Sequence, residues 1–151
     1  MVIYLGADHR GFNLKEQIKA DLKNSGYEVL DVGASSYNKD DDYPVFAKLV
    51  GEKISLDLER GRGILICGSG VGVDIVANKF KGVRAGLAVS PDQIYSARHD
   101  DNINVLVLAA DFAEESSARN MVKTFLATPF GGDERYKRRL GEITEIEEGQ
   151  K

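Results

Sequence analysis

Short apolar runs alternate with longer amphipathic stretches along the chain, and this alternation predicts strands and helices in turn. Val2 to Leu5 form the first apolar run and predict a strand. Gly11 to Ser25 follows as a helix, with Phe12, Leu14, Ile18 and Leu22 near helical spacing and Gly26 as its stop. Tyr27 to Val32 predict the second strand. A polar loop then runs to Tyr43 and Pro44, and Pro44 suits a first helical position. Val45, Leu49, Ile54 and Leu58 are expected to form that helix's inner side. Gly63 to Cys67 is apolar throughout, as a central parallel strand covered on both faces should be. The glycine-rich turn Gly68 to Gly72 comes next, with helix from Asp74 to Lys79. Arg84 to Val89 and Asn104 to Ala110 predict two more strands, separated by a helix over Pro91 to His99. Ala113 to Leu126 predict a fifth helix, and the charged segment Asp133 to Glu148 a last one, polar on most sides.

Strand–helix alternation over this length implies an α/β domain spanning residues 1–151. The expected architecture is a three-layer sandwich, with helices on both faces of a five-stranded, mostly parallel, Rossmann-like sheet. In such sheets ligands sit outside the carboxyl ends of the strands. The segments after Leu5, Cys67, Val89 and Ala110 are therefore where chemistry is expected.

Composition narrows the choice. The chain has 151 residues, 42% hydrophobic and 29% charged, which is globular rather than disordered. A net charge of -4 argues against non-specific attraction to nucleic acid. The single cysteine excludes an internal disulfide framework and a cysteine-rich zinc site, and two histidines leave little for another transition-metal site. No apolar run approaches the roughly 20 residues of a bilayer span. The N-terminus has no basic region and meets Asp8 too early for a signal peptide, so a cytoplasmic protein is expected.

The loops at the expected edge carry Asp8, His9, Cys67 and Ser69, with His99 one helix further on. Each has two readings. The glycine turn, Gly68, Gly70 and Gly72, is either a tight turn or an anion cradle whose unblocked N–H groups hold a phosphate or a developing oxyanion. It lacks the Lys-Ser/Thr of a Walker loop, the place and spacing of a dinucleotide fingerprint, and the arginine of a cysteine phosphatase. Cys67 is either a buried structural residue or a thiolate base or nucleophile ahead of a helix. His9 and His99 are either structural or catalytic imidazoles, and Asp8 either caps a helix or binds a ligand. Arg135 and Arg139, four apart on one helical face, either pair with nearby glutamates or grip a phosphate.

Taken in order, A-D-H-R-G-F, D-Y-P, I-L-I-C-G-S-G-V-G with A-N-K, A-R-H, T-P-F-G-G and R-Y-K-R-R resemble ribose-5-phosphate isomerase of type B and its galactose-6-phosphate isomerase relatives. The resemblance extends from the first strand to about Glu147. It implies aldose–ketose isomerisation of a phosphosugar through an enediolate, without metal or organic cofactor. By that resemblance Cys67 is the base, since Val73 stands where some members place a glutamate. Ser69 and the backbone of Gly68 to Gly72 stabilise charge on the carbonyl oxygens, and His99 opens the furanose ring. Asp8 and His9 hold the hydroxyls and the phosphate end, Tyr43 lines the sugar pocket, and Arg135 and Arg139 bind the phosphate. The family is dimeric or tetrameric, which implies a homodimer or homotetramer with His99 reaching into a neighbouring subunit's site.

The chain departs from the family pattern at four places. Asp100 follows the histidine where asparagine is usual, and the loop before the fifth strand is one residue longer. Asp111 stands where an arginine usually contributes to phosphate binding, and Tyr136 replaces a histidine between the terminal arginines. An added carboxylate and a lost guanidinium weaken phosphate binding by charge alone. Three expectations follow: ribose 5-phosphate as substrate, a different C4–C6 sugar phosphate whose hydroxyl pairs with Asp100 or Asp111, or a non-catalytic subunit that binds a sugar phosphate.

Overall fold

The computed structural model describes residues 1–149. The elements alternate as β1 (Val2–Ala7), α1 (Phe12–Asn24), β2 (Glu28–Asp31), α2 (Tyr43–Leu56), β3 (Gly61–Cys67), α3 (Val71–Ala77), β4 (Ala85–Leu87), α4 (Pro91–Asp101), β5 (Val105–Ala109), α5 (Glu115–Ala127) and α6 (Glu134–Gly149). The five strands form one sheet, ordered β2-β1-β3-β5-β4, with every pairing parallel. Strand order reverses direction between β1 and β3. That makes the crevice outside Ala7 and Cys67 the switch point where ligands bind in open α/β sheets.

Period-two alternation sorts the strand side chains into two cores. Ile3, Leu5, Ile64, Ile66, Leu106 and Leu108 face α1, α4 and α5. Tyr4, Leu65, Cys67, Val105 and Val107 face α2 and α3. Most of these side chains are fully buried, each stabilising the fold by about 1.5–3 kcal/mol. Three layers result, with Cys67 on the α2/α3 side.

The inner side of α2 differs from the expectation. Ile54 is buried, but Val45, Leu49 and Leu58 are exposed, and Leu58 lies beyond the helix end. Ala47, Val50, Gly51 and Ile54 face the core instead. Small residues allow close approach there: a Cβ at Gly51 would overlap the Phe80 ring. β4 is also shorter than its apolar run. Asn78 holds this edge strand, donating to Ala85 O (3.1 Å) and accepting from Ala85 N (2.9 Å).

Among the described residues two cations are buried. Lys15 is fully buried on α1 and donates to Asp31 (2.6 Å) and Glu16 (2.7 Å), tying α1 to β2 just after the β1–α1 loop. Arg98 donates to Asn102 Oδ1 (2.8 Å) and Ile103 O (2.5 Å), fixing the end of α4. Burial, with Arg62 and Arg84 adding repulsion, pushes its guanidinium down to about 10. Among the described residues no helix is long and apolar enough to cross a membrane.

Candidate active site

The β1–α1 loop brings Asp8 and His9 to the carboxyl edge. Asp8 is buried and accepts from Gly11 N (3.0 Å), so it closes the turn ahead of α1 rather than capping the helix itself. His9 is held by Asp41, whose Oδ1 accepts from the ring Nδ1 (2.7 Å) and from the His9 backbone N–H (3.0 Å). Asp41 is 8% exposed, and its Oδ2 has no partner. Its carboxylate therefore fixes the ring and leaves Nε2 free for a ligand. Asp8, His9 and Asp41 offer ligand atoms within 4.8 Å of one another, the one such group among the described residues with the donor set of a cation site. His9 and Asp41 are already engaged with each other.

β3 ends on Cys67, which is 5% exposed, and its Sγ accepts from Gly70 N (3.2 Å). Gly70 has φ +77°, a left-handed conformation that suits glycine and turns its N–H back onto the sulfur. Ser69 is exposed at the top of the turn, accepting from Val71 N (3.4 Å), and lines a cleft of ≈ 430 Å³ with Leu87, Val89 and Phe112. α3 starts at Val71, three residues earlier than its polar pattern predicts. Gly72 is thus inside the helix rather than in the turn. Its role is contact: a Cβ there would stand 2.6 Å from the ring of Tyr43, the first residue of α2.

Arg10 and Asp111 meet across this edge and form an ion pair. Asp111 N donates to Gly68 O (3.0 Å) in the turn that follows β5. The carboxylate that departs from the family pattern is therefore matched by a guanidinium from the β1–α1 loop.

The remaining expected residues assemble elsewhere. α4 leaves the carboxyl edge at Pro91 and runs back to the amino edge, where β5 begins. His99 lies in its last turn, roughly 12 Å along the axis from Pro91. Its Nδ1 is 2.7 Å from Asp100 Oδ1, its ring stacks on Tyr95 (5.6 Å) and meets Tyr136 edge-on (5.7 Å), and Gly131 packs against it. Arg135 donates to the Tyr136 hydroxyl (2.6 Å) and covers its ring. His99, then the Tyr136 hydroxyl, holds the Asp100 carboxyl below the usual carboxylate range. The Tyr136 hydroxyl is likewise the main cause that raises Arg135. Arg139 is exposed one turn further along α6. Within one chain, then, two half-sites stand at opposite ends of the sheet. One holds Asp8, His9, Tyr43, Cys67, Ser69 and the glycine turn, and the other holds His99, Asp100, Arg135 and Arg139.

A family model described as ribose/galactose isomerase matches residues 3–143. The chain belongs to the ribose/galactose isomerase family. Among its curated relatives, a probable ribose-5-phosphate isomerase B of Mycoplasma genitalium is 42% identical over 145 residues, covering 96% of this chain and 95% of the relative. A putative sugar phosphate isomerase of Bacillus subtilis is 34% identical, covering 98% of each chain. The crystal structure of the M. genitalium ribose-5-phosphate isomerase B with bound ribulose 5-phosphate superposes with a TM-score of 0.94 at 41% identity, covering 97% and 96% of the two chains. The ribose-5-phosphate isomerase B of Clostridium thermocellum also reaches 0.94, at 38% identity over the whole of both.

Within this family frame, sequence reasoning overlooked Asp41 and Arg10. Asp41 sits in an aspartate run that reads as a solvated loop, and only the fold shows that it is buried against His9. Arg10 stands beside Asp8 and His9, yet its partner is 101 positions away.

Proposed function

We infer that the protein is an aldose–ketose isomerase that interconverts ribose 5-phosphate and ribulose 5-phosphate through a cis-enediolate. The observation that carries this reading is the placing of Cys67 at the switch-point crevice, with Gly70 N–H on its sulfur and Asp8 in the loop that leaves the neighbouring strand β1. Removing a proton beside a carbonyl requires a base, donors for the oxygen that gains charge, and exclusion of water. Cys67 as thiolate takes the proton from C2 and returns it to C1. Ser69 passes the hydroxyl proton from O2 to O1, the turn N–H groups stabilise the charge on these oxygens meanwhile, and Asp8 and His9 orient the hydroxyls. The reaction is redox-neutral, so no external oxidant or reductant enters.

The ring-opening and phosphate-binding groups, His99, Asp100, Arg135 and Arg139, are proposed to act on the crevice of a second copy of the chain. Their separation from Cys67 within one chain supports this. So does the exposed apolar surface on α2 and α3, which pack together: Val45 and Leu49 on one, Val71 and Ile75 on the other. Such a patch is what a symmetric neighbour covers. Closed assembly would also bury the crevice mouth from water.

The test is to incubate the purified protein, with no other chain, with ribose 5-phosphate and with C4–C6 aldose phosphates in deuterated water. Ketose formation from ribose 5-phosphate, with solvent deuterium at C2 of the recovered aldose, is expected. Binding without exchange would contradict an enzyme and point to a sugar-phosphate-binding subunit. Faster turnover of another aldose phosphate would reassign the substrate.

A further inference from the structure

The guanidinium of Arg10 stands at the carboxyl edge without a task in the isomerisation. Arg10 follows Asp8 and His9 on the β1–α1 loop and is more than half exposed. Its Nη2 donates to Asp111, while among the described residues its Nε and Nη1 N–H groups meet no protein acceptor. The guanidinium lies across Gly68, the residue after Cys67. A Cβ at Gly68 would stand 2.5 Å from Arg10 Cζ and Nε and 2.7 Å from Asp111 Oδ2, so the pair lies directly over the bare α-carbon and any side chain there would displace it. Asp111 is in turn anchored by its own backbone bond to Gly68. Two loops, after β1 and after β5, are thus pinned over the start of the glycine turn with a fork of N–H donors turned outward.

The electrostatics of this edge give that fork a use. Asp8 and Asp41 line the same loop system, with Asp40 and Asp42 alongside and exposed Lys39 as the one cation of the 32–42 loop. Lys15 is fully buried and committed to Asp31 and Glu16, and Lys19 is committed to the same two acids. An anionic substrate entering this side of the crevice meets carboxylates first, and repulsion disfavours it unless a cation faces it. Planar guanidinium with two free donors is suited to phosphate oxygens, and Asp111 holds it in place so that little side-chain freedom remains to be lost on binding.

We propose that Arg10 is a substrate-binding residue, its guanidinium held across Gly68 by Asp111 and donating to the phosphate group of the sugar phosphate. The proposal rests on the isomerase reading and deepens it. The first half-site then carries its own phosphate contact, opposite the arginines supplied by the second copy.

The experiment compares wild type, Arg10→Ala and Arg10→Lys, each checked for an unchanged urea midpoint. It measures kcat and KM for ribose 5-phosphate and the inhibition constant for inorganic phosphate. In Arg10→Ala, KM and the phosphate constant are expected to rise together by about tenfold or more, the loss of a charge-assisted hydrogen bond, with kcat within about twofold. Arg10→Lys is expected to recover part of the loss, because it keeps the charge but not the fork. If Arg10 only straps two loops together, kcat falls and the phosphate constant stays put, and the proposal is overturned. It is equally overturned if Arg10→Ala keeps the wild-type KM. Should the wild type fail to isomerise, that failure belongs to the isomerase reading. Calorimetry of inorganic phosphate with wild type and Arg10→Ala then decides the role of Arg10 separately.

Discussion

Replacing Cys67 by alanine should separate catalysis from folding. The side chain lost is one sulfur atom at the end of β3, packed among Leu65, Val73 and Val107 on the α2/α3 side of the sheet. Its removal costs about 1 kcal/mol in lost contacts, in line with a buried methylene. Gly70 N–H also loses its acceptor, and because that bond is buried the unpaired donor adds about 1–3 kcal/mol. A total of about 2–4 kcal/mol follows, less than the roughly 5–15 kcal/mol of a typical domain's stability. Loss of a general base removes roughly 10²–10⁴ in rate, or about 3–5.5 kcal/mol of barrier at 1.36 kcal/mol per decade. Cys67→Ser keeps the volume and an acceptor for Gly70 N–H, yet a hydroxyl is a poor base, so it should be as inactive as alanine and closer to wild type in stability. Urea unfolding and the rate of ribulose 5-phosphate formation, read with deuterium exchange at C2, measure the two effects. Turnover by Cys67→Ala above about a tenth of wild type, with the fold intact, would remove the thiolate from the mechanism.

Two further perturbations probe the frame around the site. Asp41→Ala should lower kcat/KM about tenfold by releasing the His9 ring, with little change in the urea midpoint, because it also removes a buried oxygen that has no partner; an unchanged kcat/KM would show that His9 needs no support. Burial alone would raise the Asp31 carboxyl, but hydrogen bonds from Lys15 and Lys19 hold it below the usual range. Its stabilisation is therefore complete above the unfolded value of about 3.9 and is lost as pH falls through the lower folded value. Asp31→Asn should cost about 2–3 kcal/mol at pH 7, because Lys15 is left fully buried with Glu16 alone, and should flatten the fall in stability below about pH 4; a cost under about 0.5 kcal/mol would contradict the ion-pair account.

Much of the fold was legible because apolar runs and helical spacing are local signals. Gly63 to Cys67 reads as a central strand and is one, and the alternation predicts the parallel sheet. The inner side of α2 was not legible, since apolar residues stand on both sides of that helix. Its core side is marked by small residues at close approach, Ala47 and Gly51, rather than by hydrophobicity. Gly72 reads as part of a turn because glycine disfavours helix, yet α3 accepts it where Tyr43 leaves no room for a side chain. Lys15 is fully buried because its acid partner Asp31 lies on the next strand, a pairing that no local pattern marks. The individual site residues can be picked out by type and motif, but their partition cannot. Nothing in the spacing of His99 shows that a helix of 11 residues carries it to the far edge of the sheet. That fact comes only from tracing α4 between two parallel strands.

The shared site is tested most directly by mixing two inactive variants, Cys67→Ala and His99→Asn, under conditions that let subunits exchange. In a mixed dimer one crevice carries both substitutions and the other carries neither. Random exchange of a dimer should then restore about one quarter of wild-type turnover. No recovery, with hybrid formation verified by mass, would mean that His99 and Cys67 do not come from different subunits to one crevice.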